Sequence, residues 1–335
     1  MIGGLGLLTA CAAPPPKLAA NESVQKVPVR VALENGGTAT GEVVVTVFTP
    51  AGEGRHPLIV INHGRAGDAA GRAKLGRARY AAASRFFTDA GFVVALPVRL
   101  GYGVTGGPDL ENSGPCGERR FTPMFDRAAS QIDQVLRVMA QRPDVDPARV
   151  VVLGQSVGGG STVALAAQNP AGVKTAINFA GGSGGDPVRS PGKPCGPERL
   201  QATYAGYGQA TRLPMLWIYT ENDLYWGPDW PRRWVEAYNQ AGGHATFVPG
   251  GATARTATAC SPTRRRSGSR WWRSTCASRA STCRNRRGPS GRWRRRLRGR
   301  SRRPPRQRSG TVASSGESNI AAGEMMGSSH GMSLP

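Results

Sequence analysis

The chain is short of several things that would each point to a class of protein. No uninterrupted run of eighteen apolar residues occurs in its 335 residues, so no helix is set up to span a bilayer. No internal repeat is evident, which excludes solenoids and propellers. The six cysteines, at positions 11, 116, 195, 260, 276 and 283, show no paired metal-ligand spacing, so a zinc module is excluded. Only four histidines exist, His56, His63, His244 and His330, which narrows any search for an imidazole base. Beyond residue 250 there are 20 Arg, no Lys, and only Glu317 and Glu324 as acids; this gives a net +18 and leaves +5 of the total +23 to residues 1–250. The excess is a block at one end, so a uniformly basic nucleic-acid-binding body is excluded. The length allows two or three domains, or one large α/β domain with additions.

The first eleven residues form a short apolar run closing in small residues at Ala10 and Cys11, followed by the breaker Pro14-Pro15-Pro16. That pattern belongs to an export leader. Leu8-Thr9-Ala10-Cys11 resembles a bacterial lipobox, which implies lipidation of Cys11 and a periplasmic or membrane-anchored location. Against this, no Lys or Arg precedes Lys17 and ten residues is short for a complete signal, so a true start further upstream or a chance apolar N-terminus stands beside it. In an oxidising compartment Cys116 and Cys195 become disulfide candidates, with two separate thiols as the alternative. The organisation expected is a leader and linker over 1–26, a folded domain over 27–249 and an Arg-rich tail over 250–335.

Between residues 27 and 249, short β-branched runs alternate with Ala-rich segments, the pattern of a mostly parallel sheet crossed through helices. Val29 to Leu33 and Val43 to Phe48 alternate in polarity around Asn35-Gly36-Gly37 and predict an opening antiparallel pair. Leu58 to Asn62, Phe92 to Val98, Val150 to Leu153, Thr175 to Phe179 and Leu213 to Tyr219 are continuous apolar runs, as strands buried on both faces should be. His244 to Val248 would be the eighth strand, and helices are expected over Ala78 to Ala90, Asp126 to Arg142, Val157 to Asn169, Glu198 to Ala210 and Pro231 to Ala241.

The sharpest chemical signal is Val150-Val-Val-Leu-Gly154-Gln155-Ser156-Val157-Gly158, a strand running into Gly-x-Ser-x-Gly and then a helix. Such a turn lifts the serine above the sheet edge beside a helix N-terminus; the bland alternative is a glycine loop with a capping serine. Here the sequence resembles the α/β-hydrolase superfamily, and within it the dienelactone hydrolase-like serine hydrolases, over about residues 27–249. The resemblance implies an eight-stranded, mostly parallel sheet with helices on both faces. Asn62-His63-Gly64-Arg65 is similar to the turn that supplies an oxyanion-hole N–H, so the N–H groups of Arg65 and Val157 are the expected donors. Arg99-Leu100-Gly101-Tyr102-Gly103 is similar to the family's Arg-Gly-x-Gly turn, which shapes the pocket floor. Thr220-Glu221-Asn222-Asp223 follows a strand where the family keeps its acid; Asp223 is the choice, with Glu221 and Asp229 as rivals. Tyr102, Phe121, Tyr225 and Trp226 are candidate pocket-lining aromatics, although such residues are as often simple packing. The resemblance implies a small-molecule ester substrate, a monomer, and no cofactor or metal.

The histidine departs from the pattern. The family's base follows the last strand in a segment similar to Asp-Gly-His-Gly-Leu-Phe, where this chain has Arg255-Thr-Ala-Thr-Ala-Cys260-Ser261. His63 belongs to the oxyanion turn, His56 precedes a strand, His330 is terminal, and His244 opens the last strand, roughly 15 Å from the catalytic edge at about 3.3 Å per residue. Joining the third base of each codon to the first two of the next permits the missing motif across Thr256 to Ser261, in order. A frameshift would also explain a tail with Arg but no Lys. The rival is a genuine basic arm: Arg264-Arg265-Arg266, Arg270-Trp271-Trp272-Arg273 and Arg292-Trp293-Arg294 mix cations with aromatics as nucleic-acid and anionic-membrane binders do.

Overall fold

A computed structural model describes residues 19–250. Eight strands form one sheet in the order β1-β2-β4-β3-β5-β6-β7-β8, where β1 is Glu22–Ala32, β2 Thr38–Phe48, β3 His56–Asn62, β4 Val93–Val98, β5 Val145–Gln155, β6 Val173–Phe179, β7 Pro214–Thr220 and β8 His244–Gly250. β1 and β2 pair antiparallel, and β2 runs antiparallel to β4; every pairing from β4 to β8 is parallel. The turn between β1 and β2 closes as expected, with Leu33 N–H on the Gly37 carbonyl and Gly36 at φ 80. β4 is buried along its whole length and β3 over Leu58 to Asn62, which is why both read as unbroken apolar runs.

The helices are α1 (Ala69–Ala73), α2 (Ala81–Asp89), α3 (Phe121–Ala140), α4 (Val157–Ala167), α5 (Pro197–Ala210) and α6 (Asp229–Gln240). α3 buries Met124, Phe125, Ala128, Ala129, Ile132, Val135, Leu136 and Met139, a stripe at three- and four-residue spacing. It begins five residues before the expected Asp126, because Pro123 sits in the first turn, where its missing N–H costs nothing. α2 begins three residues later than expected, since Tyr80 adopts a left-handed conformation (φ 34, ψ 54) that no helix interior accepts. The short α1 was not expected; Asp68 caps it through the Gly71 N–H at 2.6 Å.

α4 is buried on all sides, as befits the helix packed between α3, α5 and the centre of the sheet. Along β6 and β7, Ile177, Leu216 and Ile218 are only half-buried while their alternate neighbours are fully buried. That face at this end of the sheet is therefore incompletely covered by the described residues.

Candidate active site

Ser156 stands between the end of β5 and the first residue of α4, with φ 55 and ψ −124. The glycines around it are required by close approach. A Cβ on Gly154 would lie 2.0 Å from the Gly158 carbonyl oxygen, and one on Gly158 would lie 2.5 Å from the carbonyl oxygens of both Asn62 and His63. The Ser156 backbone is held on three sides: its N–H donates to the Phe179 carbonyl at 3.1 Å, and its own carbonyl accepts from Gly160 at 3.1 Å and Gly182 at 3.0 Å. Val157, next in the chain, is the first helical residue, whose N–H has no partner within the helix.

The end of β3 meets this elbow directly. A Cβ on Gly64 would lie 3.1 Å from the Ser156 Cβ and 3.6 Å from its Oγ, so the His63-Gly64-Arg65 turn touches the serine. The Arg65 side chain is committed to Asp109 by two hydrogen bonds of 2.6 Å, and Arg72 joins the same carboxylate at 3.0 Å. Burial works against the charge on Arg65, but Asp109 outweighs it and raises the guanidinium pKa; the Asp109 carboxyl is in turn held below its usual range despite partial burial. The Arg65 side chain is therefore engaged away from Ser156.

His63 is 2% exposed and fully committed. Its Nδ1–H donates to the Gly64 carbonyl at 2.7 Å, its Nε2 accepts the Arg99 N–H at 3.1 Å, and the ring meets Tyr102 edge-on at 4.5 Å. Burial, reinforced by the Arg99 charge, lowers its pKa to about 3. Such a histidine holds a turn in place and cannot take a proton from Ser156. Behind it, Arg99 and Glu111 form an ion pair with no exposure on either side chain. Arg99 also donates to the His63 carbonyl at 3.0 Å, and the Tyr102 hydroxyl donates to Glu111 at 2.5 Å. The Arg99 turn thus braces the His63-Gly64-Arg65 turn.

Asp223 lies in the turn after β7 and is 2% exposed; its Oδ1 accepts the Tyr225 N–H at 2.8 Å. Glu221 and Asp229 are both exposed, so burial separates the chosen acid from its rivals. His56 opens β3, and the exposed His244 opens β8 opposite Pro214, at the end of the parallel strands away from Ser156. Cys116 and Cys195 are joined, with Cα atoms 5.4 Å apart, tying the turn ahead of α3 to the loop ahead of α5. His330, Cys11, the segment Arg255 to Ser261 and the basic tail lie outside the described residues.

Of the aromatics offered as pocket lining, three are packing. Phe121 stacks on Phe125 in the core, Tyr102 closes the Arg99–Glu111 cluster, and Trp226 is 1% exposed with its indole N–H on the Ala180 carbonyl. Tyr225 alone is partly exposed. Sequence reasoning missed Asp109 and Glu111, which secure Arg65 and Arg99 from a loop without regular structure, and Tyr80, which was placed inside a helix. It also missed Arg119, a half-buried guanidinium held by Ser113 at 2.7 Å. Among the described residues no group of three or more His, Cys, Asp and Glu is arranged to hold a metal ion.

No curated protein matches the sequence. An acetyl xylan esterase from Paenibacillus sp. R4 superposes with a TM-score of 0.47 at 17% identity, covering 70% of this chain and 79% of that one. A Klebsiella pneumoniae subsp. pneumoniae MGH 78578 protein assigned as a dienelactone hydrolase gives 0.45 at 16% identity, covering 76% and 98%. The acylaminoacyl peptidase of Pyrococcus horikoshii gives 0.44 at 13% identity, covering 69% and 37%. Likenesses this distant carry no statement about substrate. The family model for the dienelactone hydrolase family matches residues 43–223, from β2 through the β7 turn that carries Asp223 and more than half of the chain. The chain therefore belongs to the dienelactone hydrolase family of α/β hydrolases.

Proposed function

We propose that this chain is built as a serine-type carboxylic-ester hydrolase acting through an acyl-enzyme at Ser156. The observation that carries the reading is the strained Ser156 backbone, φ 55 and ψ −124, pressed against Gly64 at the head of a buried helix. In the reaction, Ser156 Oγ attacks the ester carbonyl carbon and gives its proton to an imidazole. The N–H groups of Val157 and Arg65 hold the developing oxyanion, each worth about 2–4 kcal/mol in such sites. The tetrahedral adduct collapses, the alcohol leaves with that proton, and water releases the acid by the reverse sequence. Asp223 orients the imidazole.

The imidazole is expected just after residue 249, where this chain has Arg255 to Ser261. A reading-frame change near codons 249 to 255 accounts for the missing histidine and for the lysine-free tail together. The chain would then keep only the oxyanion hole and binding, roughly a thousand-fold to ten-thousand-fold over water. Sequencing those codons tests this, and codons that spell Asp-Gly-His in no frame refute it. A fluorophosphonate probe tests the nucleophile: labelling at Ser156 in a frame-restored protein, lost in Ser156→Ala, is the expected result. Labelling elsewhere, or a tenth or more of the activity kept by Ser156→Ala, overturns it.

One observation favours a second reading, a non-catalytic binding protein. The net +18 of residues 251–335 suits phosphate-rich partners, and steeply salt-dependent DNA or anionic-vesicle binding would be its mark. Export, with anchoring through Cys11, accords with the Cys116–Cys195 bond and is tested by metabolic labelling with a fatty-acid analogue.

A further inference from the structure

An acyl-transfer triad works only if its acid and its nucleophile keep one distance, since a single imidazole has to reach both. Ser156 leaves β5 and Asp223 follows β7; β6 lies between them, so the two strands stand about 10 Å apart, two spacings of about 4.8 Å. The pairing of β6 with β7 runs out at Phe179 and Ile218. Asp223 comes five residues later, beyond that ladder, so its place depends on contacts between loops. The loop that follows β6 makes them on both sides. Towards the elbow, the Phe179 carbonyl accepts the Ser156 N–H at 3.1 Å and the Gly182 N–H donates to the Ser156 carbonyl at 3.0 Å. Towards β7, the Ala180 N–H donates to the Ile218 carbonyl at 2.8 Å and the Tyr219 hydroxyl to the Gly181 carbonyl at 2.8 Å. Between these bonds Ala180 is held at φ 46.

Trp226 joins this loop to the acid turn. It is 1% exposed, and its indole N–H donates to the Ala180 carbonyl at 3.0 Å, 46 positions away in the chain. Its own backbone belongs to the turn around Asp223, where the Gly227 N–H donates to the Asp223 carbonyl at 2.8 Å and the Tyr225 N–H to Asp223 Oδ1 at 2.8 Å. The ring is seated on glycine: a Cβ on Gly182 or on Gly185 would lie 3.0 Å from it. Trp234 meets it edge-on, with ring centroids 5.7 Å apart. A rigid bicycle with one directed donor thus spans from the turn of the acid to the loop that holds the nucleophile. We propose that Trp226 is a positioning residue that sets the distance between Asp223 and Ser156, its indole N–H on Ala180 locking the acid turn to the loop against which the elbow is held. This deepens the ester-hydrolase reading and rests on it, with Asp223 as the acid. Tyr219 secures the same loop to β7, yet it stands in the strand and not in the acid turn.

The test compares the parent with Trp226→Phe, which removes the indole N–H and keeps an aromatic ring. In the full chain as it stands, amide hydrogen exchange at Gly182 and Gly227, one on each side of the tie, should quicken by about tenfold or more. In the frame-restored form, kcat on a p-nitrophenyl ester should fall by about tenfold to a hundredfold at unchanged KM, counted per site titrated with a fluorophosphonate. In an Asp223→Asn background the same change should have almost no further effect on kcat, because the distance it sets no longer matters there. A purely structural role would lower the thermal midpoint and the fraction of titratable sites and leave kcat per site alone. Unchanged exchange overturns the inference, as do an unchanged kcat per site and losses that multiply in the double variant. Should Trp226→Phe fail to fold, benzothienylalanine in place of Trp226, which keeps the bicycle and puts sulfur where the N–H was, gives the same readouts. If Ser156 of the frame-restored parent is never labelled yet exchange quickens at both amides, the tie between the two turns stands and the hydrolase reading falls.

Discussion

Acid should destabilise this protein through one buried imidazole, and the size of the effect follows from His63. Its folded pKa is about 3 against 6.5 when exposed, so below pH 6.5 the unfolded chain takes up a proton that the folded chain refuses. Stability is therefore fully present above pH 6.5 and is lost as pH falls from there towards 3. Each unit in that window costs about 1.4 kcal/mol, so moving from pH 7 to pH 4.5 should remove about 2.5 kcal/mol. His56 and His244 stand at strand starts rather than in such a cage. The carboxylates of Asp109 and Glu111, held below their usual range by Arg65 and Arg99 against the effect of burial, add their loss only at lower pH. Urea midpoints at pH 7, 6, 5 and 4.5 measure the slope. His63→Gln supplies the control, since its amide oxygen replaces Nε2 as the acceptor for the Arg99 N–H. That variant should be less stable at pH 7 but lack the slope between pH 7 and 4.5. A wild-type protein as stable at pH 4.5 as at pH 7, or a variant with the same slope, would refute the cage as drawn.

In a frame-restored protein, Asp223→Asn should lower ester turnover on the order of a thousand-fold or more, as for other triad orienters; a small loss, read from kcat/KM, moves the role to Glu221 or Asp229. Glu111→Gln leaves the Arg99 guanidinium buried without its counter-charge, so the unfolding free energy should drop by about 3–5 kcal/mol, and an unchanged urea midpoint would contradict that. Reducing the Cys116–Cys195 bond, which joins residues 79 apart, should cost about 2–5 kcal/mol of stability, visible as a lower urea midpoint with dithiothreitol.

The sequence by itself determined the sheet and the glycine-flanked turn at Ser156, because both are local. A strand buried on two faces must be apolar throughout, as Val93–Val98 is, and a strand that turns sharply into a helix must carry glycine where backbones touch, as at Gly154 and Gly158. It also determined that His63, although beside the motif, belongs to a turn. Tertiary structure alone decided the rest, since those contacts join residues far apart in the chain. Asp223 is preferred already by its place after β7, and tertiary structure adds that it is buried while Glu221 is exposed; the expected aromatic lining became core because Phe121, Tyr102 and Trp226 found partners from other segments. Tyr80 is the clearest case. Its residues predict a helix interior, yet its backbone is left-handed in a segment that Glu22, 58 positions earlier, ties down through Arg77 and Arg79. Local propensity, worth tenths of a kcal/mol per residue, yields to the cost of leaving the buried Glu22 carboxylate without its guanidinium partners.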